Sequence, residues 1–448
     1  MLTHMKSLLA SLSLGRTPDA RFDLSAAIGS TLLRQVVSSG LYFVALWVTT
    51  RQLGPHDNGL LVTALLLPQT LYAFLNLGLG PSHVYHMSSG IGSPRAMRRL
   101  NRRLAFGLWS VAVLALALLD NGAVGRWLPG TARHTALYAS LLFPMMLLAG
   151  WTSSLIQGAR DYAAYNKTAL TQPLVFCMGV LVLGAFHAVG VASVLACHIL
   201  SQAALWLASE ARVHGYAAPV PDPGVKLGAA VAFGLRTHLS NVITFLNYRV
   251  ALYAVSLMID PAGAGRYALA IQLAEVLWLI ASAASVVVFP ESAAHNRTPA
   301  ALQAMVRKVA LTVFKITLGA ALLAAVLATP VIPWVFGRDY AEAALPFVIL
   351  LPGIVAWSYM SVVANSLAGM GCQRVNIQAA LLSFSLNGAG CLLAIPQYGL
   401  HGAALASTVA FSATAAYTIF LYRRIMAERI ARGGADGQGT ARAPGEER

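Results

Sequence analysis

Uninterrupted apolar runs of about 20 residues or more recur along almost the whole chain, separated by short polar or Gly/Pro-rich breaks. A helix of ~20 apolar residues crosses the ~30 Å hydrocarbon core of a bilayer. Outer-membrane barrels read instead as ~10-residue segments of alternating hydrophobicity. The pattern therefore predicts an all-α polytopic membrane protein. The charge content agrees: 10% of the 448 residues are charged, against ~25% in soluble chains. That is too little to clothe a soluble enzyme, and 57% hydrophobic residues exclude a disordered chain.

Twelve spans are predicted, at 24–50, 58–88, 103–119, 135–157, 165–187, 190–209, 228–258, 265–290, 307–329, 341–368, 375–395 and 401–422. Pro68, Pro144, Pro173, Pro346 and Pro352 lie inside spans and are candidate kinks. Asp23 and Ser25 are candidate N-caps for the first span. The patch Leu8–Leu14 is short, interrupted by serines and followed by no small-residue cleavage site, so residues 1–23 read as a cytoplasmic tail. Residues 24–212 and 228–424 form two six-helix lobes, 213–227 a polar cytoplasmic linker between them, and 425–448 a disordered cytoplasmic tail.

The net charge of +15 matters here through its distribution. Of 31 Lys and Arg, 22 fall in one set of alternate loops together with both tails. Only Arg51, Arg126, Arg133, Arg266 and Arg338 fall in the opposite loops. The bias places both termini in the cytoplasm and supports an even span count. The cluster Arg95, Arg98, Arg99, Arg102 and Arg103 reads as a topogenic, lipid-facing loop. With no soluble domain to carry a basic face, no nucleic-acid partner is expected.

The halves echo each other. Gly54-Pro55 with Gly59 after the first span matches Pro261 with Gly265 after the seventh, at an offset of 206 residues. Gln157-Gly158 with Asn166 matches Ala368-Gly369 with Asn376, at 211 and 210. Two bundles of like topology imply a pseudo-two-fold axis along the membrane normal, with a path between them.

Four cations fall inside spans: Arg34, Arg236, Arg249 and Lys315. An ionisable group at mid-bilayer costs at least ~2.5 kcal/mol and marks a cavity or a partner. Arg34 lies ~15 Å and Arg249 ~14 Å along their helices from the span ends, in equivalent places of the two halves. They are candidates for a diphosphate site, since guanidinium binds phosphate bidentately and stays charged; the alternatives are snorkelling or pairing with Glu275. Arg236 and Lys315 are secondary candidates, as are Asn247, Tyr248 and Asn241 beside Arg249. Glu275, the carboxylate well inside a span, is a candidate for proton or sodium coupling, or for neutralising an arginine. Gln69 and Asn76 read as interhelical polar glue or sugar ligands, and His83 with His86 as interfacial packing without a metal set. Cys177, Cys197, Cys372 and Cys391 carry no CxxC spacing and read as packing residues. No P-loop, GxSxG or HExxH is present and every opposite-side loop is short, so neither an enzyme nor a cofactor is expected.

Arg51-Gln-Leu-Gly-Pro55 with Asn58-Gly59, Gln157-Gly158 with Tyr165-Asn166, and Phe233 to His238 run in order along the chain. They are followed by Phe245-Leu-Asn-Tyr-Arg249, Gly265 to Ala270, Phe289-Pro290, Phe336-Gly337, Leu367-Ala-Gly369, Ile395-Pro396 and Gly402 to Ala406. Through these, residues 24–424 resemble the polysaccharide-repeat (Wzx-type) flippases of the multidrug/oligosaccharidyl-lipid/polysaccharide exporter superfamily. The resemblance implies alternating access and cation coupling in a bacterial inner membrane. The cargo would be undecaprenyl-diphosphate-linked oligosaccharide, with membrane lipids and the polymerase and chain-length machinery of O-antigen or exopolysaccharide assembly as partners. It also supports Arg34 and Arg249 as cavity cations. Many relatives follow the span-seven arginine with an aspartate two residues on; this chain has Ala251 there. Rival readings are a multidrug antiporter of the same superfamily, which favours an acidic cavity, and a membrane polymerase or glycosyltransferase, which needs an exterior Asp or Glu.

Overall fold

The computed structural model describes residues 24–88, 93–216, 242–243, 245–247, 249–293 and 298–439. Every regular element among them is a helix. In hydrocarbon no water is at hand for backbone groups, and a helix satisfies its own. The helices are α1 (Leu24–Leu75), α2 (Leu79–Ser88), α3 (Pro94–Leu118), α4 (Asn121–Trp127), α5 (Arg133–Ser140), α6 (Leu142–Gly158), α7 (Tyr162–Ala169), α8 (Thr171–Ala185) and α9 (Val191–His214). The second half holds α10 (Arg249–Met258), α11 (Pro261–Val276), α12 (Trp278–Ala293), α13 (Pro299–Phe336), α14 (Ala344–Gly369) and α15 (Gln373–Gly439), with a 3₁₀ turn at Arg338–Ala343.

Nine stretches among the described residues are long and apolar enough to cross a membrane, and α10 adds a shorter apolar segment. Two of the nine are each a pair of helices joined at one glycine: Gly54 (φ 70°) in α1 and Gly399 (φ 54°) in α15. A residue with a side chain rarely adopts that left-handed conformation, so these two turns need glycine.

The prolines divide by position. Pro144 and Pro173 lack the N–H that would bond the carbonyl four residues back. Those carbonyls belong to Ser140 and Ala169, where α5 and α7 end. Pro68 and Pro352 remain inside continuous helix, and Pro346 sits in the first turn of α14. A break that the sequence does not announce falls at Asn76-Leu77-Gly78, where Leu77 and Gly78 both have positive φ. Trp151 Nε1 donates to the carbonyl of Asn76 there, at 3.3 Å.

Several bounds differ from the predicted spans. α3 begins at Pro94, capped by Ser93 Oγ accepting from the Ala96 N–H at 3.3 Å. The five clustered arginines therefore lie on its first turns and not in a loop. Arg98 is drawn inward to Glu210 at 2.8 Å. α13 extends over 38 residues, capped by Thr298 with Pro299 at its first position. α15 continues to Gly439, past residue 425, where an irregular tail was expected.

The repeat is visible in the helix ends. α6 and α14 stop at Gly158 and Gly369, and Asn166 and Asn376 lie on the helices that follow. Apolar clusters centred on Phe143, Leu147 and Trp151 in the first half and on Val306, Val362 and Leu367 in the second hold each half together. A third joins Leu66 of α1 to Tyr267, Ala268 and Leu269 of α11.

Candidate functional site

The halves meet near Gly54. Thr63 Oγ1 and Ser256 Oγ are 2.9 Å apart, and the Tyr253 hydroxyl hydrogen-bonds Thr70 Oγ1 and the Leu66 carbonyl. Trp47 Nε1 donates to the Val335 carbonyl at 2.9 Å, and Arg51 Nη1 to the carbonyls of Trp334 and Val335, each at 3.0 Å. Those carbonyls end α13 and have no helical partner of their own, so a cation capping them suits the negative end of the helix.

The intramembrane cations keep different company. Arg34 Nε donates to Asn166 Oδ1 at 3.2 Å, and its guanidinium lies 5.9 Å from the Tyr165 ring centre. Asn166 is buried and donates to Ser30 Oγ and Thr31 Oγ1 at 3.0 and 3.1 Å. Arg34 is thus held within the first half by one edge of its planar fork. Arg249, at the start of α10, lies close enough to Glu275 and Tyr253 for its charge to act on both. Lys315 is exposed on the side of α13 opposite the buried stripe of Val306, Ala310, Val313 and Thr317. Asn247 is buried, and its Oδ1 has no hydrogen-bond partner among the described residues. Arg236, Asn241 and Tyr248 lie outside the described residues.

Between the halves lies a cavity of about 390 Å³. Tyr42 and Gln69 line it from α1, Phe176 and His198 from α8 and α9, and Gln272 and Glu275 from α11. Neither Arg34 nor Arg249 is among its lining residues. Glu275 also walls a second, smaller chamber of about 20 Å³ inside the second half. There the Tyr267 hydroxyl meets Ser407 Oγ at 3.2 Å, and Ser407 Oγ donates to Asn387 Oδ1 at 3.2 Å. That volume is room for about one water among polar partners. Glu275 therefore stands on the wall between the shared cavity and a polar chamber.

Sequence reasoning named Arg249, which does not line the cavity, and of the cavity's polar lining it named Glu275 and Gln69 but not His198 or Gln272. Each of the two is a single polar residue in an apolar run, a pattern that does not tell a cavity wall from an interhelical contact. The His83 pairing was also missed: its Nε2 is 2.6 Å from Asn101 Oδ1, a buried packing contact between α2 and α3.

The family described as polysaccharide biosynthesis protein matches residues 131–345, a little under half of the chain. No curated protein matches the sequence. Among solved structures, the inward-facing conformation of a multidrug resistance MATE family transporter of the MOP superfamily superimposes with a TM-score of 0.73, at 14% identity, over 89% of this chain and 98% of that one. The outward-facing conformation of such a transporter gives 0.66 at 14% identity, over 91% and 97%. The lipid II flippase MurJ, in its inward closed conformation, gives 0.66 at 14% identity, over 88% and 90%. At these identities the likeness establishes the fold, that of the MOP-superfamily transporters. The matched proteins are transporters and a flippase, not enzymes.

Proposed function

We propose that this chain is a flippase that carries a polyprenyl-diphosphate-linked oligosaccharide from the cytoplasmic to the periplasmic leaflet of a bacterial inner membrane. The observation that carries the reading is the match to a polysaccharide biosynthesis family on a chain with a transporter fold. Counting the segments on either side of Gly54 and Gly399 separately, with α10 as the described end of one more span, supports twelve spans in two six-helix lobes, and the bias of Lys and Arg between alternate loops supports cytoplasmic termini. In that orientation Arg51, Arg126, Arg133, Arg266 and Arg338 lie at the periplasmic end with the contacts around Gly54. The contacts between the halves there and the better superposition on an inward-facing transporter support a cytoplasm-open conformation.

Arg34 and Arg249 receive the diphosphate during passage, with Arg236 and Lys315 as secondary cations and Asn247 and Tyr248 beside Arg249. Holding Arg34 through Nε leaves its outer N–H groups for phosphate oxygens. The glycan occupies the cavity and the polyprenyl tail stays in lipid between the lobes. Glu275, between the cavity and the inner chamber, couples the cycle to a proton or sodium ion. The partners are membrane lipids and the polymerase and chain-length machinery that use the cargo.

The test is lipid extraction from a deletion strain complemented with wild type or Arg249→Ala. Diphosphate-linked oligosaccharide should accumulate on the cytoplasmic face and be cleared by wild type alone. The carboxylate in the cavity favours a second reading, a multidrug antiporter. Drug sensitivity without accumulated lipid-linked sugar would establish that one and sink the first.

A further inference from the structure

The cavity wall has hydrogen-bonding capacity that the protein leaves unused. Among the described residues, the side chains of Gln69, His198, Gln272 and Glu275 all face this space, and none has a protein hydrogen-bond partner. All four are half-buried, and none is spent on a protein hydrogen bond, so their donors and acceptors are open to whatever enters the space. At about 390 Å³ the space falls within the ~300–1,000 Å³ of small-molecule sites.

The chemistry of the four groups narrows the occupant. Each glutamine amide offers both donors and an acceptor, an imidazole offers one of each, and a carboxylate accepts at two oxygens. Sugar hydroxyls, each donor and acceptor at once, match that set. The rings of Tyr42 and Phe176 supply apolar faces for the C–H side of a pyranose. Charge narrows it again. Among the described residues the lining holds a carboxylate and no Lys or Arg, and the His198 imidazole lies against Phe176 with ring centres 4.1 Å apart. The charge of nearby Arg249 already acts on Glu275, so an acidic sugar would bring a second carboxylate to a cation that one carboxylate already faces, in a partly dry space. An organic cation would satisfy Glu275 and the rings but leave both amides unpaired.

We propose that Gln69, His198, Gln272 and Glu275 form a subsite for uncharged sugar rings. The glycan units that enter this cavity are then neutral hexoses or N-acetylhexosamines and not uronic acids. The cargo rests on the flippase reading; the binding site does not.

The experiment titrates the full-length protein in lipid nanodiscs with cellobiose and with cellobiouronic acid, which differ by one carboxylate in place of a hydroxymethyl group. Cellobiose should bind in the millimolar range and the uronate about 10-fold more weakly. Gln69→Ala and Gln272→Ala should each weaken cellobiose binding at an unchanged melting temperature, and Gln272→Lys, which installs a cation in the lining, should reverse the preference. Equal binding of the two sugars overturns the proposal, as does a lack of millimolar cellobiose binding, which would mean that water alone fills the cavity. Binding of tetraphenylphosphonium that Glu275→Gln abolishes, with no sugar binding, overturns it in favour of an organic-cation site. A parallel assay follows polyprenyl-diphosphate-linked disaccharide across proteoliposome membranes. Movement without sugar discrimination sinks the subsite and spares the flippase; discrimination without movement does the reverse.

Discussion

Gly59 and Gly265 pack against each other as reciprocal halves of one contact. A Cβ on Gly59 would fall inside the carbonyl of Pro261 and 3.0 Å from the Gly265 nitrogen. A Cβ on Gly265 would fall inside the carbonyl of Pro55 and 2.9 Å from the Gly59 nitrogen. Both the glycines and the prolines stand 206 positions apart, so the contact repeats the internal symmetry of the chain. Asn58 reinforces it by donating to the Gly265 carbonyl at 3.5 Å.

A side chain at either glycine meets backbone, which cannot move aside as a flexible side chain would. Gly59→Val and Gly265→Val should therefore wedge the contact apart while each half keeps its own core. Overpacking of this kind costs roughly 1–3 kcal/mol when the surroundings hold; here that cost falls on the closed state and shifts the population towards one open at Gly54. A cysteine introduced at Thr63 should become reactive to an aqueous maleimide in both variants, and clearance of lipid-linked sugar should fall. Unchanged labelling would mean that the glycines serve packing only and do not set the state.

The same contact should be lockable. Thr63 Oγ1 and Ser256 Oγ are 2.9 Å apart from opposite halves, close enough for sulfur atoms in their places to reach the ~2.05 Å of a disulfide. The double variant Thr63→Cys with Ser256→Cys should cross-link under mild oxidation, stop transport and recover on reduction. Full transport by the cross-linked protein would exclude alternating access through this gate.

Part of this was legible in the sequence. Proline and glycine at matched offsets marked the two turns before the contact was visible, because only a small residue tolerates that backbone approach. Arg249 and Glu275 are legible as charges in apolar runs, since such groups are too costly to place there without a cavity or a partner. The break at Leu77 was not, because leucine carries no turn preference and its positive φ follows from the tertiary setting. Asn166 is legible as a mark of the repeat and of the family resemblance, but its hold on Arg34 is a tertiary contact between residues 132 positions apart.

That hold has a measurable consequence. Asn166 joins Ser30, Thr31 and Arg34 of α1 to α7. Asn166→Ala removes these hydrogen bonds, each worth about 0.5–1.5 kcal/mol. Melting temperature and transport should both fall. Arg34→Ala should reduce transport more than it reduces melting temperature, because its outer N–H groups are left for the cargo. A double-mutant cycle on the two positions measures the coupling; purely additive losses would show that Asn166 does not position Arg34.

At the ends of α7 and α9, Asp161 gives a prediction in pH. Its Oδ1 caps α7 by accepting from the Ala164 N–H at 3.1 Å, and its Oδ2 accepts from Arg212 Nε at 2.9 Å and from the Tyr216 hydroxyl at 3.1 Å. Partial burial pushes the carboxyl up, but the hydrogen bonds from Arg212, Ala164 and Tyr216 and the Arg212 charge outweigh it and hold it below the ordinary carboxylate value. A carboxyl lowered in the folded state adds stability that is fully present above its unfolded value, ~3.9. That stability is lost as pH falls through the folded value. Arg212 is half exposed, so solvent screening keeps the pair weak. Asp161→Asn, which can still cap the helix, should lower stability slightly at pH 7. Asp161→Ala should lose about 1 kcal/mol more through the cap. The gap between wild type and Asp161→Asn should narrow below about pH 4 as the native carboxyl takes up its proton. Detergent-solubilised thermal melts from pH 7 to pH 3 would measure it, and a gap that stays constant across that range would mean that the ion pair contributes nothing and the cap carries the whole effect.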